Sequence, residues 1–139
     1  MDVSTLTPSP QTDVRVAVEV MGAEEFPSGK DYHSQVAAAL RMNKLLIVPH
    51  AEGYKMPVTG WGAWRPSTEW RAAAEVIEFL RHRGTIIHVG PGLPGQYIAR
   101  LSYEPNYVDP KARQFIATTG PLAVCMAALA PQRFLQAKK

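Results

Sequence analysis

Cysteine is nearly absent from this chain of 139 residues: the single Cys125 cannot form an internal disulfide bond. Because Cys125 lies in an apolar helical pattern, we expect a buried, inert thiol. No basic stretch followed by an apolar run opens the sequence, and the longest apolar runs fall far short of the roughly 20 residues that span a bilayer. These absences predict a protein of a reducing, cytoplasmic compartment with no membrane partner.

Charge of one sign is also scarce, with 15 Lys and Arg against 12 Asp and Glu and a formal net charge of +3. No run of basic residues resembles a nucleic-acid arm, so we expect no long nucleic acid as a partner, whereas a small anion such as a nucleotide is permitted. The four histidines are scattered, which predicts no metal site and no cofactor. No nucleophile motif is visible, and we therefore expect a protein that is not an enzyme.

What the chain does contain is enough apolar sequence, 46%, for a self-supporting core. Residues 1–12, with two prolines and several hydroxyl side chains, are predicted to form a flexible tail. Residues 13–139 are predicted to form one α+β domain.

The elements of this domain follow from apolar periodicity. Residues 67–83 predict the clearest helix, with Trp70 and Leu80 on its inward stripe, and residues 121–130 predict the last helix. Strands are expected at residues 45–48, 85–89, 96–103 and 113–118, with a turn at 90–95, a further helix at 31–42 and a long connection at 51–66. Because the last three strands follow one another, an antiparallel meander covered by helices is expected. Residues 13–21 fit both a strand, through alternating valines, and a helix.

Two groups of residues are candidate binding determinants. The first is an aromatic cluster with interleaved arginines, suited to stacking on a base and pairing with phosphate: Tyr54, Trp61, Trp64, Trp70, Arg65 and Arg71. A core that uses tryptophan to fill a gap beneath the long connection is the alternative. The second is Arg113 with Thr118 and Thr119 ahead of the last helix, where anions are attracted. Here the alternative is a threonine that simply caps the helix. Arg100 is a candidate contributor to either group.

Three segments resemble the small phage and prophage proteins that carry the phage "ABA sandwich" domain. They are DVRVAVEVMG at residues 13–22, PSTEWRAAAEVI at 66–77 and ATTGPLAVCMAAL at 117–129. The resemblance implies an antiparallel sheet sandwiched between α-helices and favours a helix at residues 13–21. The chain departs from the pattern at residues 23–66, so no ligand preference encoded there is carried over.

In size and general architecture the chain is also similar to anti-defence proteins that sequester the cyclic ADP-ribose signal of Thoeris immunity. This similarity implies a non-enzymatic, homo-oligomeric protein that binds a cyclic nucleotide or a cyclic ADP-ribose-type ligand. The sequence leaves open an alternative, a module that binds a host protein through exposed Tyr107 and Trp64.

Overall fold

The structure, a computed structural model, describes residues 3–25, 45–49, 52–59, 62–103 and 114–130. The helical elements are a 3-10 helix at Val3–Thr5, α1 at Pro10–Arg15, a π-helix at Val16–Val20, α2 at Trp70–Arg81 and α3 at Gly120–Leu129. The strands are β1 at Glu24–Glu25, β2 at Leu46–Pro49, β3 at Lys55–Thr59, β4 at Gly62–Ala63, β5 at Thr85–Pro91, β6 at Tyr97–Tyr103 and β7 at Gln114–Ala117. These elements confirm the α+β class.

The segment at residues 13–21, where the two patterns compete, is helical. The helix starts earlier than its sequence suggests, because the Ser9 side chain accepts a hydrogen bond from the Thr12 backbone N–H at 3.3 Å and caps α1. Gly22 ends the helical segment with a φ of 74°, a left-handed conformation that glycine adopts without a Cβ clash.

Residues 3–12 do not form the predicted flexible tail. Val3 and Leu6 pack against the main core. The Ser9 backbone N–H donates to the Ser67 hydroxyl at 3.2 Å, which ties this segment to the turn before α2. The composition of this segment is typical of a disordered terminus. The segment is nevertheless held in place by the packing of Val3 and Leu6 and by the hydrogen bond between Ser9 and Ser67.

The antiparallel sheet β5-β6-β7 has two unlike faces. Its inner face carries Ile87, Leu101 and Phe115, which are buried in one core with α2 and α3. Its outer face carries exposed His88 and Arg100, which are paired in register on β5 and β6. The described helices therefore pack on the inner face, as the predicted meander requires, and the outer face presents polar groups to solvent.

Helix α3 lies at the centre of the molecule. Every residue from Gly120 to Leu129 is buried, and the helix contacts all three strands of the sheet, α2 and the π-helix. A helix that is apolar on all sides is expected to be surrounded by protein. The predicted burial of Cys125 is confirmed, and Leu129 near the end of the helix is also buried.

Helix α2 confirms the predicted burial of Leu80 but not the predicted inward position of Trp70. Its buried residues are Ala72, Ala73, Val76 and Leu80. Trp70, assigned by periodicity to the inward stripe, is 49% exposed. Trp70 is the first residue of α2, so its side chain lies at the N-terminal end of the helix. There the indole contacts Gly120 at the start of α3.

The predicted long connection at residues 51–66 contains two strands, so that prediction is wrong. β3 pairs antiparallel with β2 and β4, and β1 pairs parallel with β2, to form a second sheet. Pro57 hides β3 from sequence analysis, because proline normally argues against a strand flanked on both sides. The Pro57 carbonyl accepts from the Trp64 backbone N–H at 2.9 Å. The Pro57 nitrogen lies on the same side of β3, next to a residue just beyond the end of β4 at Ala63, so its missing N–H interrupts no pair within that strand.

Several predictions fall outside the described residues, namely the helix at residues 31–42 and the site residues Trp61, Tyr107 and Arg113. Among the helices that the structure describes, none is long and apolar enough to cross a membrane.

Candidate ligand-binding site

The structure separates the predicted site residues onto two sides of the three-stranded sheet. Trp64, Arg65 and Arg71 come together around one small cavity beside the start of α2. Arg100 lines a different cavity on the outer face of the sheet. Arg100, which the sequence offered as a contributor to either group, therefore lies apart from the other three residues.

The first cavity is too small to enclose a nucleotide. Its volume is about 90 Å³, whereas pockets for drug-sized ligands span roughly 300–1,000 Å³. Its wall mixes the guanidinium groups of Arg65 and Arg71 with the carboxylates of Glu69 and Glu75. Trp64 is only 4% exposed and its indole N–H donates to Glu75 Oε2 at 2.8 Å. Trp64 is thus the core tryptophan that the sequence left as an alternative, and its face is not open to a stacked base.

The exposed tryptophan next to this cavity is Trp70. Its ring meets Tyr97 edge-on, with centroids 6.3 Å apart and an interplanar angle of 69°. Its benzo edge lies against Gly120, where a Cβ would overlap Cζ2 and Cη2 of the indole. We call Trp70, Tyr97 and Gly120 the Trp70 surface. Because glycine and tyrosine fix the indole while half of it stays exposed, the ring is pre-organised for stacking.

The two threonines lie beside this surface, in the turn that leads into α3. Thr118 and Thr119 are exposed. The Thr119 hydroxyl accepts from the Leu122 backbone N–H at 3.3 Å, so Thr119 is the N-cap of α3, as the alternative interpretation of the sequence holds. The cap positions Gly120 under Trp70 and thereby helps to build the surface.

The turn that carries Arg65 is anchored to α1 by a buried carboxylate. Asp13 is 4% exposed, and its Oδ1 accepts from the Ser67 backbone N–H at 2.9 Å. Burial raises the pKa of Asp13 above its usual 3.8, and the hydrogen bonds from Ser67 oppose that rise. Burial, with a smaller contribution from the Asp13 charge, likewise raises the pKa of Cys125, which leaves this thiol uncharged and unreactive.

The cavity on the outer face of the sheet has a different character. Its volume is about 230 Å³, and it is lined by His88, Val89, Gly90, Pro91, Ile98 and Arg100. Sequence analysis missed His88 because its relation to Arg100 depends on the register of two strands. The alternation of side chains along β5 and β6 is the only sequence signal for it.

Comparison with known protein families, with curated proteins and with solved structures found no match for this chain. Among the described residues there is also no group of three or more His, Cys, Asp or Glu side chains placed to hold a metal ion.

Proposed function

We propose that this protein binds a small nucleotide-derived ligand without chemical turnover, and that the Trp70 surface is where the base stacks. The observation that carries the proposal is the fixed and half-exposed indole of Trp70, held against Gly120 and Tyr97. Aromatic stacking suits any base, since every base presents a flat π-face.

The phosphate side of the proposal rests on the arginines next to Trp70. Arg71 follows Trp70 directly in α2, and Arg65 lies at the rim of the same cavity; both side chains are exposed. A guanidinium group presents paired N–H donors in a fork that matches phosphate oxygens. Because the adjacent cavity is small, the ligand would lie across the surface with only one group inserted.

The resemblance to phage proteins supports a specific ligand class and a biological role. In this proposal the ligand is a cyclic nucleotide or a cyclic ADP-ribose-type immune signal, and the protein sequesters it in the host cytoplasm as a homo-oligomer. A ligand on the open Trp70 surface would be enclosed if a second copy of the protein covered that surface. Sedimentation at micromolar concentration tests the assembly, and a species of only 15.3 kDa would count against it.

Calorimetry with cyclic dinucleotides, cyclic trinucleotides and cyclic ADP-ribose isomers tests the binding. We expect Trp70→Ala to weaken binding roughly 5- to 150-fold, which corresponds to about 1–3 kcal/mol for one stacked base. Trp70→Phe should retain most of the affinity. Arg71→Ala should also weaken binding, whereas Arg81→Ala, at the other end of α2, should not. The ligand should be recovered intact after denaturation, and a cleaved product would instead indicate an enzyme.

The alternative function, a module that binds a host protein, is supported by the same exposed aromatic residues. Of the two contact residues predicted from the sequence, Tyr107 lies outside the described residues and Trp64 is buried. Trp70 and Tyr97, which is 37% exposed, take their place. Aromatic side chains of this kind are enriched at the centres of protein interfaces. Failure of every nucleotide to bind would favour this second function.

A further inference from the structure

The cavity on the outer face of the sheet brings two nitrogen-bearing side chains together from neighbouring strands. His88 on β5 and Arg100 on β6 are register partners, and both are exposed. None of the side chains that line this cavity is acidic, and Arg100 forms no ion pair with any described residue. Gly90 forms part of the wall, and a Cβ built there meets no atom within 4 Å, so the space above it is open. The cavity is therefore roomy, and none of the described residues places a negative charge in its wall.

His88 is held in one orientation by a buried partner. Its Nε2 lies 2.9 Å from the hydroxyl oxygen of Ser102, which is 2% exposed. A serine hydroxyl can either donate or accept, so it pairs with a neutral or a protonated imidazole. When the ring carries a proton on Nδ1, in the neutral Nδ1–H tautomer or in the doubly protonated form, Nδ1–H is a donor that Ser102 does not use. In the other neutral tautomer Nε2–H donates to the serine oxygen and Nδ1 is an acceptor. An anion beside Nδ1 selects the forms in which Nδ1 carries the proton.

We propose that this cavity is a binding site for a small anion that carries a phosphate group, with Arg100 and His88 as its ligand-contacting residues and Ser102 as a positioning residue. Arg100 offers two parallel donors, and His88 adds a third from the adjacent strand. A carboxylate has only two oxygens in one plane, which a guanidinium group alone can satisfy. A tetrahedral phosphate has a further oxygen for the His88 donor. The apolar side chain of Ile98, on the same face as Arg100, accommodates a short carbon skeleton attached to the phosphate.

This site is independent of the Trp70 surface because the sheet lies between them. Tyr97, which contacts Trp70, belongs to the face that carries Ala99 and Leu101, both buried in the core. Arg100 is three residues from Tyr97 and belongs to the opposite face. Variants of the two sites can therefore fail separately, and loss of one leaves the other to be measured.

Titration with inorganic phosphate, followed by backbone amide NMR shifts at constant ionic strength, tests the proposal. We expect saturable shifts that centre on His88, Gly90 and Arg100. Arg100→Ala should weaken phosphate binding about 10- to 100-fold, the effect of losing charge-assisted hydrogen bonds. Gly90→Val keeps both donors but fills the cavity, and should weaken binding without unfolding the protein, since the added atoms enter open space.

Three controls separate this site from general electrostatics. Arg81→Ala removes the same charge at the exposed C-terminal end of α2, away from both proposed sites, and should leave phosphate affinity unchanged. Ser102→Ala should weaken binding less than His88→Ala, because the imidazole remains but loses its fixed orientation. Acetate at equal concentration should bind more weakly than phosphate. Equal affinity for acetate, shifts that do not saturate, or undiminished phosphate binding in Arg100→Ala would each overturn the proposal.

Discussion

At the scale of single residues, Thr85 is a polar group in an apolar site. It is fully buried at the start of β5, and its hydroxyl is the one buried side-chain polar atom without a hydrogen-bond partner in the described part of the chain. An unsatisfied buried hydroxyl costs about 1–3 kcal/mol of desolvation. Thr85→Val keeps the branched shape and should raise the free energy of unfolding by about that amount, measured by urea denaturation.

Thr12 provides the matched control for this prediction. It is also buried, at 3% exposure, but its hydroxyl donates to the Thr7 carbonyl at 2.7 Å. Thr12→Val should therefore lower the free energy of unfolding, since it leaves the Thr7 carbonyl without this donor. Equal effects of the two substitutions would contradict the assignment of Thr85 as unsatisfied.

Asp13 makes stability depend on pH in an unusual direction. Because burial raises its pKa in the folded state above the usual 3.8, the folded protein holds the Asp13 proton more tightly than the unfolded chain does. The stability contributed by Asp13 is therefore complete below pH 3.8, falls as the pH rises through the raised folded pKa, and stays low above it. Most paired carboxylates have the opposite effect.

Asp13→Asn isolates this contribution, because asparagine does not titrate and its side-chain oxygen can still accept from the Ser67 N–H. The difference in unfolding free energy, variant minus wild type, should increase from pH 3.8 upward and then level off. Urea midpoints of both proteins across acidic and neutral pH provide the measurement. A difference that stays constant over this range would show that Asp13 ionises equally in both states.

At the scale of elements, the contact between α2 and the start of α3 is set by Gly120. Its missing Cβ leaves the space that the Trp70 indole occupies. Gly120→Ala should displace this ring and lower stability by about 1–3 kcal/mol, the usual cost of overpacking. In a Trp70→Ala background the same substitution should be neutral or stabilising, because alanine is the better helix former. Additive effects in this double-mutant cycle, measured by thermal unfolding, would exclude the contact.

The elements also show how far the sequence determines the fold. Helix α3 and strands β5 to β7 follow from local patterns, since each has one consistent periodicity and clear turn residues. β3 does not, because Pro57 looks like a strand breaker until its partner Trp64 is known. The pairing of His88 with Arg100 likewise depends on strand register, which no local pattern contains.

The candidate site was harder to predict than the fold for a related reason. Trp64 and Trp70 lie six residues apart in the same aromatic cluster, yet one is 4% exposed and the other 49%. Which of them faces solvent depends on where α2 begins and on the glycine that α3 supplies. Residue type therefore predicted an aromatic and arginine cluster, while tertiary packing determined that Trp70 and not Trp64 is exposed.

At the scale of the whole molecule, α3 connects otherwise separate parts. It packs against the three-stranded sheet, α2, the π-helix and the N-terminal 3-10 helix. The N-terminal segment is thus held by the last described helix of the chain. Because α3 supplies core contacts to the three-stranded sheet, α2 and the π-helix, these elements should unfold as a single cooperative unit.

Leu129 tests this organisation at the end of the central helix. It is 5% exposed, and Leu129→Ala should lower the free energy of unfolding by about 2–5 kcal/mol, through lost burial and the cavity that remains. Leu93→Ala is the matched control, because Leu93 is 70% exposed in the turn between β5 and β6 and its truncation should change stability by less than about 0.5 kcal/mol. Tryptophan fluorescence reports on residues 61–70, which lead into α2, and far-ultraviolet circular dichroism reports on all elements. If α3 is the centre of one unit, both signals should shift to the same lower urea midpoint in Leu129→Ala. Separate midpoints would instead mean that the sheet and the helices unfold independently, and an unchanged midpoint would place Leu129 outside the core.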